Sequence, residues 1–275
     1  RRFQLVIVIW AQEGKGCDER PGADAGDDLE VGPRAGLRPA VVPAGAERAV
    51  VGPRGFANAP EAKRLWRALF EAIGLDPEMT GRDRLMLRFQ PPIPADGEAH
   101  RARSTATVGF HRDSWGTNLP AQVNWWAPVW PIDAGRTFAF LPELFDKILP
   151  NDSADFDLSQ VMTANRSAPA GADRPRMAPR PLEEIDPARG QPVVIEPGEI
   201  IAFSAQHAHV GVPNRTGLTR ISLETRTLRL ADVAAERGAP NVDGRALWVA
   251  YGLFRRVSDG APVPEVLEVE ALEPF

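Results

Sequence analysis

Cysteine, tyrosine and histidine are scarce in this 275-residue chain, which holds one Cys, one Tyr and four His. The lone Cys17 excludes an intramolecular disulfide and any thiolate zinc cluster, and it suits a reducing cytoplasm. Long hydrophobic runs are missing: nothing approaches the ~20 consecutive apolar residues of a membrane helix. The stretch LVIVIW at 5–10 is shorter than a secretory core of ~7–15 residues and has no small-residue cleavage site. It reads as a buried strand, and the protein as cytoplasmic with no membrane partner. A basic excess is also lacking; the net charge of −5 argues against a nucleic-acid partner. Mild acidity is compatible with a cationic small molecule but is equally ordinary for a soluble protein. With 43% apolar residues the chain can bury a core without disulfide staples, and its length suits one domain over 1–275.

Residues 11–55 are rich in Gly, Pro, Ala and Asp without periodicity and read as an irregular segment. A helix follows, with Asn58 as its cap, Pro60 in its first turn, an apolar stripe of Leu65, Trp66, Leu69, Phe70 and Ile73, and Gly74 at its end. The texture then changes to short strands, expected at 84–89, 104–110, 121–130 and 137–141. A proline-rich stretch at 143–190 is too long for a simple connection and reads as a lid-like insertion. Strands resume at 192–195, 200–204, 209–212 and 220–230, broken by the turn sequences EPGE at 196–199 and PNRTG at 213–217. Many short strands without alternating helices predict a mainly β sandwich or barrel, its core at 84–142 and 192–230.

The four histidines are His100, His111, His207 and His209. In a strand, His111 and Asp113 would share a face, so an imidazole nitrogen and a carboxylate oxygen can converge. Those are two of the three ligands of a 2-His-1-carboxylate facial triad, which leaves metal positions open for a co-substrate and oxygen. Alone, a His-x-Asp is equally a hydrogen-bonded surface pair. A second cluster, FSAQHAHVGVPN at 203–214, supplies His207 and His209, and strand parity does not choose between them. Arg220 and Ser222 then form another same-face pair. A guanidinium fork matches a carboxylate and a neighbouring hydroxyl can share the load; the bland reading of Arg220 is a salt bridge to Glu224 or Glu199. The order His-x-Asp, long gap, His, Arg-x-Ser is far more specific than its parts.

On these residues the chain resembles the iron(II)/2-oxoglutarate-dependent oxygenases of the phytanoyl-CoA-hydroxylase-like superfamily, over roughly 84–230. The resemblance implies a double-stranded β-helix (jelly-roll, cupin-like) core with flanking helices. It implies iron(II) held by His111, Asp113 and His209, with His207 either supporting the ligands from behind or facing the substrate. Arg220 and Ser222 would bind the far carboxylate of 2-oxoglutarate, Asn124 and Thr137 would border this co-substrate, and O2 would be consumed. The stretches HRDSW at 111–115, QVNWWAP at 122–128, FSAQH at 203–207, NVDG at 241–244 and YGLFRR at 251–256 are also similar to oxygenases of orthosomycin and hygromycin antibiotic pathways. That likeness implies hydroxylation or oxidative ring closure, such as orthoester formation, on an aminoglycoside or oligosaccharide.

Seven Trp are present, and Trp115, Trp125, Trp126 and Trp130 crowd one region. At least two belong in a core; the others can floor a sugar site, with Trp115 and Trp126 as candidates. Trp125 and Trp126 must face opposite ways, so only one can line the interior, and Asn124 shares parity with Trp126. The rival readings are a hydroxylase of another small molecule, a cupin-type protein that only binds metal or sugar, and a carbohydrate-binding module built on the Trp cluster.

Overall fold

The computed structural model describes residues 6–9, 59–93, 107–168, 176, 178–246 and 250–264. The irregular reading of 11–55 and the first part of the 104–110 strand lie outside them, and the N-cap of the helix that starts at Pro60 is Ala59, with no side-chain capping bond, rather than the expected Asn58. In chain order the elements are β1 (Val6–Ile9), α1 (Pro60–Ala72), β2 (Thr80–Arg82), β3 (Met86–Gln90), α2 (Ser114–Thr117), β4 (Val123–Pro128), β5 (Phe138–Phe140) and α3 (Leu158–Ser167). There follow β6 (Gln191–Pro192), β7 (Glu199–Ser204), β8 (His209–Gly211), β9 (Arg220–Arg229), α4 (Leu230–Ala234) and β10 (Arg255–Arg256). Among the described residues no helix is long and apolar enough to cross a membrane.

The strands make two mainly antiparallel sheets. The larger runs β1-β7-β4-β9-β2-β10, with β3 also paired to β9; the smaller runs β6-β5-β8. Within the LVIVIW segment Val6–Ile9 form a strand, as expected, and it joins the larger sheet as a parallel neighbour of β7. Pleat alternation sorts the side chains of the larger sheet. Trp125, Ala127, Ile200 and Ala202 turn outward and pack with Trp66 and Phe70 of α1. Trp126, Ile201 and Phe203 turn inward and meet Phe138 and Phe140 of the smaller sheet and Val193 just after β6. The opposite faces expected for the two adjacent tryptophans are observed.

Pro60 occupies the first turn of α1, where its missing N–H costs nothing, and Gly74 takes φ 79° just past the end. The helix buries a narrower stripe than expected, because Leu65 is 54% exposed. Residues 107–110 form no regular strand; they meet β8 through the Gly211 N–H on the Val108 carbonyl (2.8 Å). The 192–195 strand shrinks to β6. Strands β2 and β10, with sequences TGR and RR, carry no apolar alternation and were not expected. Gly81 in β2 is needed for close approach, since a Cβ there would lie 2.9 Å from Val263 Cγ1.

The 143–190 segment holds α3, capped by the Asp157 carboxylate on the Gln160 N–H, and short 3-10 turns. Leu144, Leu149, Phe156 and Leu158 sink into core clusters. The carbonyls of Leu144 and Lys147 accept from Arg112, whose side chain is fully buried. Arg112 also donates to Asp243 Oδ2 at 2.6 Å, and the same carboxylate accepts from Trp115 Nε1 (2.7 Å) and the Leu149 N–H (3.0 Å). The turn that carries His111 and Asp113 is thereby bolted to two distant segments.

Removing one member of a fully buried ion pair strands the other charge, at a cost of about 3–5 kcal/mol. Arg112→Met is expected to lower the unfolding free energy by that amount in a denaturant titration. A loss within error of zero would show that the pair does not form in solution.

Candidate metal centre and its cavity

His111 and His209 face each other across an isolated antiparallel bridge. Each backbone N–H donates to the other's carbonyl at 3.0 Å. Directly paired residues project to the same side, and the two imidazole centroids are 4.3 Å apart. Asp113 arrives differently from the expected strand parity: it stands at the N-cap of α2 with helical φ −65°, ψ −32°. An Asp there ordinarily caps a helix with its carboxylate, but this side chain makes no capping bond. It turns into the cavity, with Oδ1 3.5 Å from His111 Nε2. Candidate ligand atoms of His111, Asp113 and His209 all lie within 4.8 Å of one another.

The tautomers follow from the backbone. His111 Nδ1 is 2.9 Å from the Gly109 carbonyl and His209 Nδ1 is 2.8 Å from the His207 carbonyl. A carbonyl only accepts, so each Nδ1 holds the proton and each Nε2 keeps a lone pair. Two such nitrogens and a carboxylate oxygen suit a divalent transition metal, with both rings oriented by carbonyls behind them. His207 is not in the cluster. It is 3% exposed, packs against Phe145 and Phe140, and its Nδ1 lies 2.9 Å from Ser204 Oγ.

The three groups line a cavity between the sheets that opens to solvent. Arg220, Glu224 and Arg226 of β9 line it as well, with Asn124, Trp126, Phe138 and Phe203. Arg220 is 6% exposed, with its guanidinium 5.8 Å from the Trp126 ring, and its Nε and Nη1 are buried with no hydrogen-bond partner among the described residues. Burial pushes its pKa down to about 10. Glu224 does not neutralise it by contact; that carboxylate is held by Arg88 in a two-pronged pair at 2.7 and 3.0 Å. Asn124 accepts from Gln122 Nε2 on Oδ1, which leaves Nδ2 buried and without a partner.

Arg226 approaches Asp113 Oδ1 at 3.6 Å through Nη2. Burial pushes the Asp113 carboxyl up, but the Arg226 guanidinium outweighs it and holds the group well below the usual carboxylate range. Burial drives His209 down to about 4, with the neighbouring His111 adding to the shift. Burial also takes His207 to about 4.

Other expected site residues sit elsewhere. Trp115 is fully buried among Phe110, Leu141 and Leu144 and does not line the cavity; Asp243 drew it inward by taking its indole N–H. Thr137 is fully buried and its hydroxyl donates to the Val193 carbonyl at 2.5 Å, away from the cavity wall. Ser222 is fully buried beneath the wall, with Oγ 3.3 Å from Glu224 Oε1. No described residue of 143–190 lines the cavity, so that segment buttresses the His111–Asp113 turn there. Sequence reasoning missed Arg88, Glu224 and Arg226. The signal was present: Arg220, Ser222, Glu224 and Arg226 alternate along β9 as one polar stripe.

No protein-family model matches this chain, and no curated protein matches it. Among solved structures it is similar to ThoJ, a non-heme monooxygenase in its apo form, at 15% identity and TM-score 0.41 over 65% of this chain and 59% of that one. It is also similar to EvdO2 from Micromonospora carbonacea var. aurantiaca complexed with 2-oxoglutarate, at 14% and 0.40 over 64% and 62%. SnoK, a non-heme alpha-ketoglutarate-dependent carbocyclase from nogalamycin biosynthesis, is similar at 13% and 0.41 over 78% and 73%. The matched part thus spans 59% and 62% of the ThoJ and EvdO2 chains. These likenesses are partial, and the functional reading rests on the geometry above.

The buried histidines set a pH dependence. Folded pKa values near 4 lie below the ordinary 6.5, so the unfolded chain takes up protons that the folded one refuses. Stability of the metal-free protein is therefore expected to fall by a few kcal/mol as the pH drops from about 6.5 to about 4. His209→Gln should flatten its share of that slope in thermal melts across the range. A wild-type melting temperature that does not change between those pH values would contradict the burial of both rings.

Proposed function

We propose that this protein is a non-haem iron(II)- and 2-oxoglutarate-dependent oxygenase that oxidises a C–H bond of a sugar-containing small molecule, such as an aminoglycoside or oligosaccharide. The supporting observation is one cavity that joins a His111–Asp113–His209 donor set to a buried arginine lacking a hydrogen-bond partner on two of its nitrogens. In this reading the two sheets are the halves of a double-stranded β-helix. Three protein ligands leave open positions for a chelating keto acid and for O2. When bound, iron(II) with 2-oxoglutarate and O2 supplies the oxidation, the co-substrate leaving as succinate and CO2.

The chain's own residues bind, orient and exclude water. His111 and His209 offer Nε2 because backbone carbonyls fix their protons on Nδ1. Arg220 receives the far carboxylate of the co-substrate, a planar fork answering a planar anion. Trp126 lies at cation–π range of that guanidinium and fixes its plane. Asn124 Nδ2 offers a further donor into the same space, its orientation set by Gln122. Phe138 and Phe203 flank His209 and keep that side of the centre dry. The Arg88–Glu224 pair and the aromatic wall give a mixed surface suited to a hydroxyl-rich substrate. Hydroxylation and ring closure share this arrangement and part only at the substrate's own neighbouring hydroxyl.

The purified chain is expected to form succinate from 2-oxoglutarate when given iron(II) and O2. A cupin-type protein that only binds metal or sugar would form none. Arg220→Ala should raise the KM for 2-oxoglutarate by at least about thirtyfold, the loss of ~2 kcal/mol or more at a buried charge contact, while iron affinity is kept. His209→Ala should abolish iron binding and His207→Ala should not. An unchanged co-substrate KM in the first variant, or equal iron loss in the other two, would show the assignments to be wrong.

A further inference from the structure

Asp113 differs from the two histidines in how it is held. Each imidazole is fixed from behind by a backbone carbonyl, but among the described residues the Asp113 carboxylate has no backbone donor, having forgone the helix cap. Its neighbours are His111 and the guanidinium of Arg226, both on Oδ1, at 3.5 and 3.6 Å. Arg226 is itself tied at two points to one buried carboxylate. Asp83 accepts the Arg226 backbone N–H on Oδ1 (2.8 Å) and Nη1 on Oδ2 (3.2 Å), and Thr225 Oγ1 adds a third donor at 3.2 Å. Asp83 is 8% exposed and precedes β3 in the chain, on the far side of β9 from β4.

We infer that Arg226, braced by Asp83, is a positioning residue that orients the Asp113 carboxylate for metal binding. The inference rests on the metal-site reading above. Two forces oppose each other here. A cation close to the ligand oxygen repels an incoming divalent ion, which alone would weaken binding. Against that, an exposed-chain carboxylate has several rotamers, and a free Asp113 can also swing back to cap α2. Holding it in one rotamer and out of the helix removes both alternatives before the metal arrives. Orienting partners behind metal ligands are typically worth about 10- to 100-fold in affinity, so pre-organisation outweighs repulsion.

Mn(II), titrated into the full chain and followed by the electron paramagnetic resonance signal of the unbound ion, provides a test independent of turnover. Wild type is expected to bind Mn(II) and His111→Ala to lose it. Arg226→Met should bind about 10- to 100-fold more weakly, and Arg226→Lys should recover part of the loss by restoring charge without the fork. Asp83→Asn should weaken binding as well, since it releases the brace while leaving the guanidinium in place. Should Arg226→Met fail to fold because Asp83 is stranded, the double variant Asp83→Asn/Arg226→Met removes both charges and is judged in its place. Unchanged or tighter Mn(II) binding in the folded variant overturns the inference, as does a Lys variant no better than Met. A wild type that binds no Mn(II) overturns the metal-site reading and this inference with it, whereas wild-type binding that Arg226→Met retains overturns the inference alone.

Discussion

The antiparallel bridge between His111 and His209 is the contact on which the arrangement of the cavity depends. It is only two backbone hydrogen bonds of 3.0 Å, but a bridge pair is the one place in a sheet where two residues far apart in sequence must project together. It sets the ring separation, and it places the Gly109 and His207 carbonyls behind the two Nδ1 atoms. One backbone contact thus fixes position, plane and tautomer of both imidazoles. Asp113 then follows two residues later, because the chain turns into α2 directly after the bridge.

The inner face of β9 organises the charge. Arg220, Ser222, Glu224 and Arg226 succeed one another along it, and all but one of the charged groups are matched. Glu224 is taken by Arg88 from β3, and Arg226 by Asp83 with Asp113 alongside. Arg220 is left with aromatic company and two unbonded nitrogens. A buried cation without an anion is costly unless a ligand completes it. Under the proposed function that imbalance has a direction, since the far carboxylate of 2-oxoglutarate would complete Arg220 at that end of the cavity.

Legibility in the sequence followed how local each determinant is. The α1 stripe, β4, β7 and β9 were readable because their apolar periods are long enough to show. Strands β2 and β10 were not, since two or three polar residues carry no period and are held by pairing with β9 and with each other. His111 and Asp113 were selected on strand parity, yet they converge through a bridge followed by a helix turn, a geometry that also brings i and i+2 together. His207 and His209 share parity, so no local argument could separate them; the bridge partner does. Trp115 was misread because its destination is set by Asp243, far along the chain and buried with it. The NVDG stretch carries a family resemblance in the sequence, but its role as the anchor of Arg112 depends on a contact between residues 131 positions apart and is visible only in three dimensions.

The same anchor explains how the cavity can tolerate its own strain on stability. An uncapped helix start and an Arg220 with two nitrogens unbonded among the described residues both sit within one cavity wall. Each is less favourable than a simpler alternative, such as an Asp113 that caps α2 or an Arg220 that pairs with Glu224. What prevents the relaxation is the packing just behind: Arg112 is locked to Asp243 and to two carbonyls of the 143–190 segment, and Trp115 is fully buried beside it. The residue between the two candidate ligands cannot move, so neither ligand can drift far. Residues on either side of a single rigid position can then be kept in geometries that serve binding rather than folding.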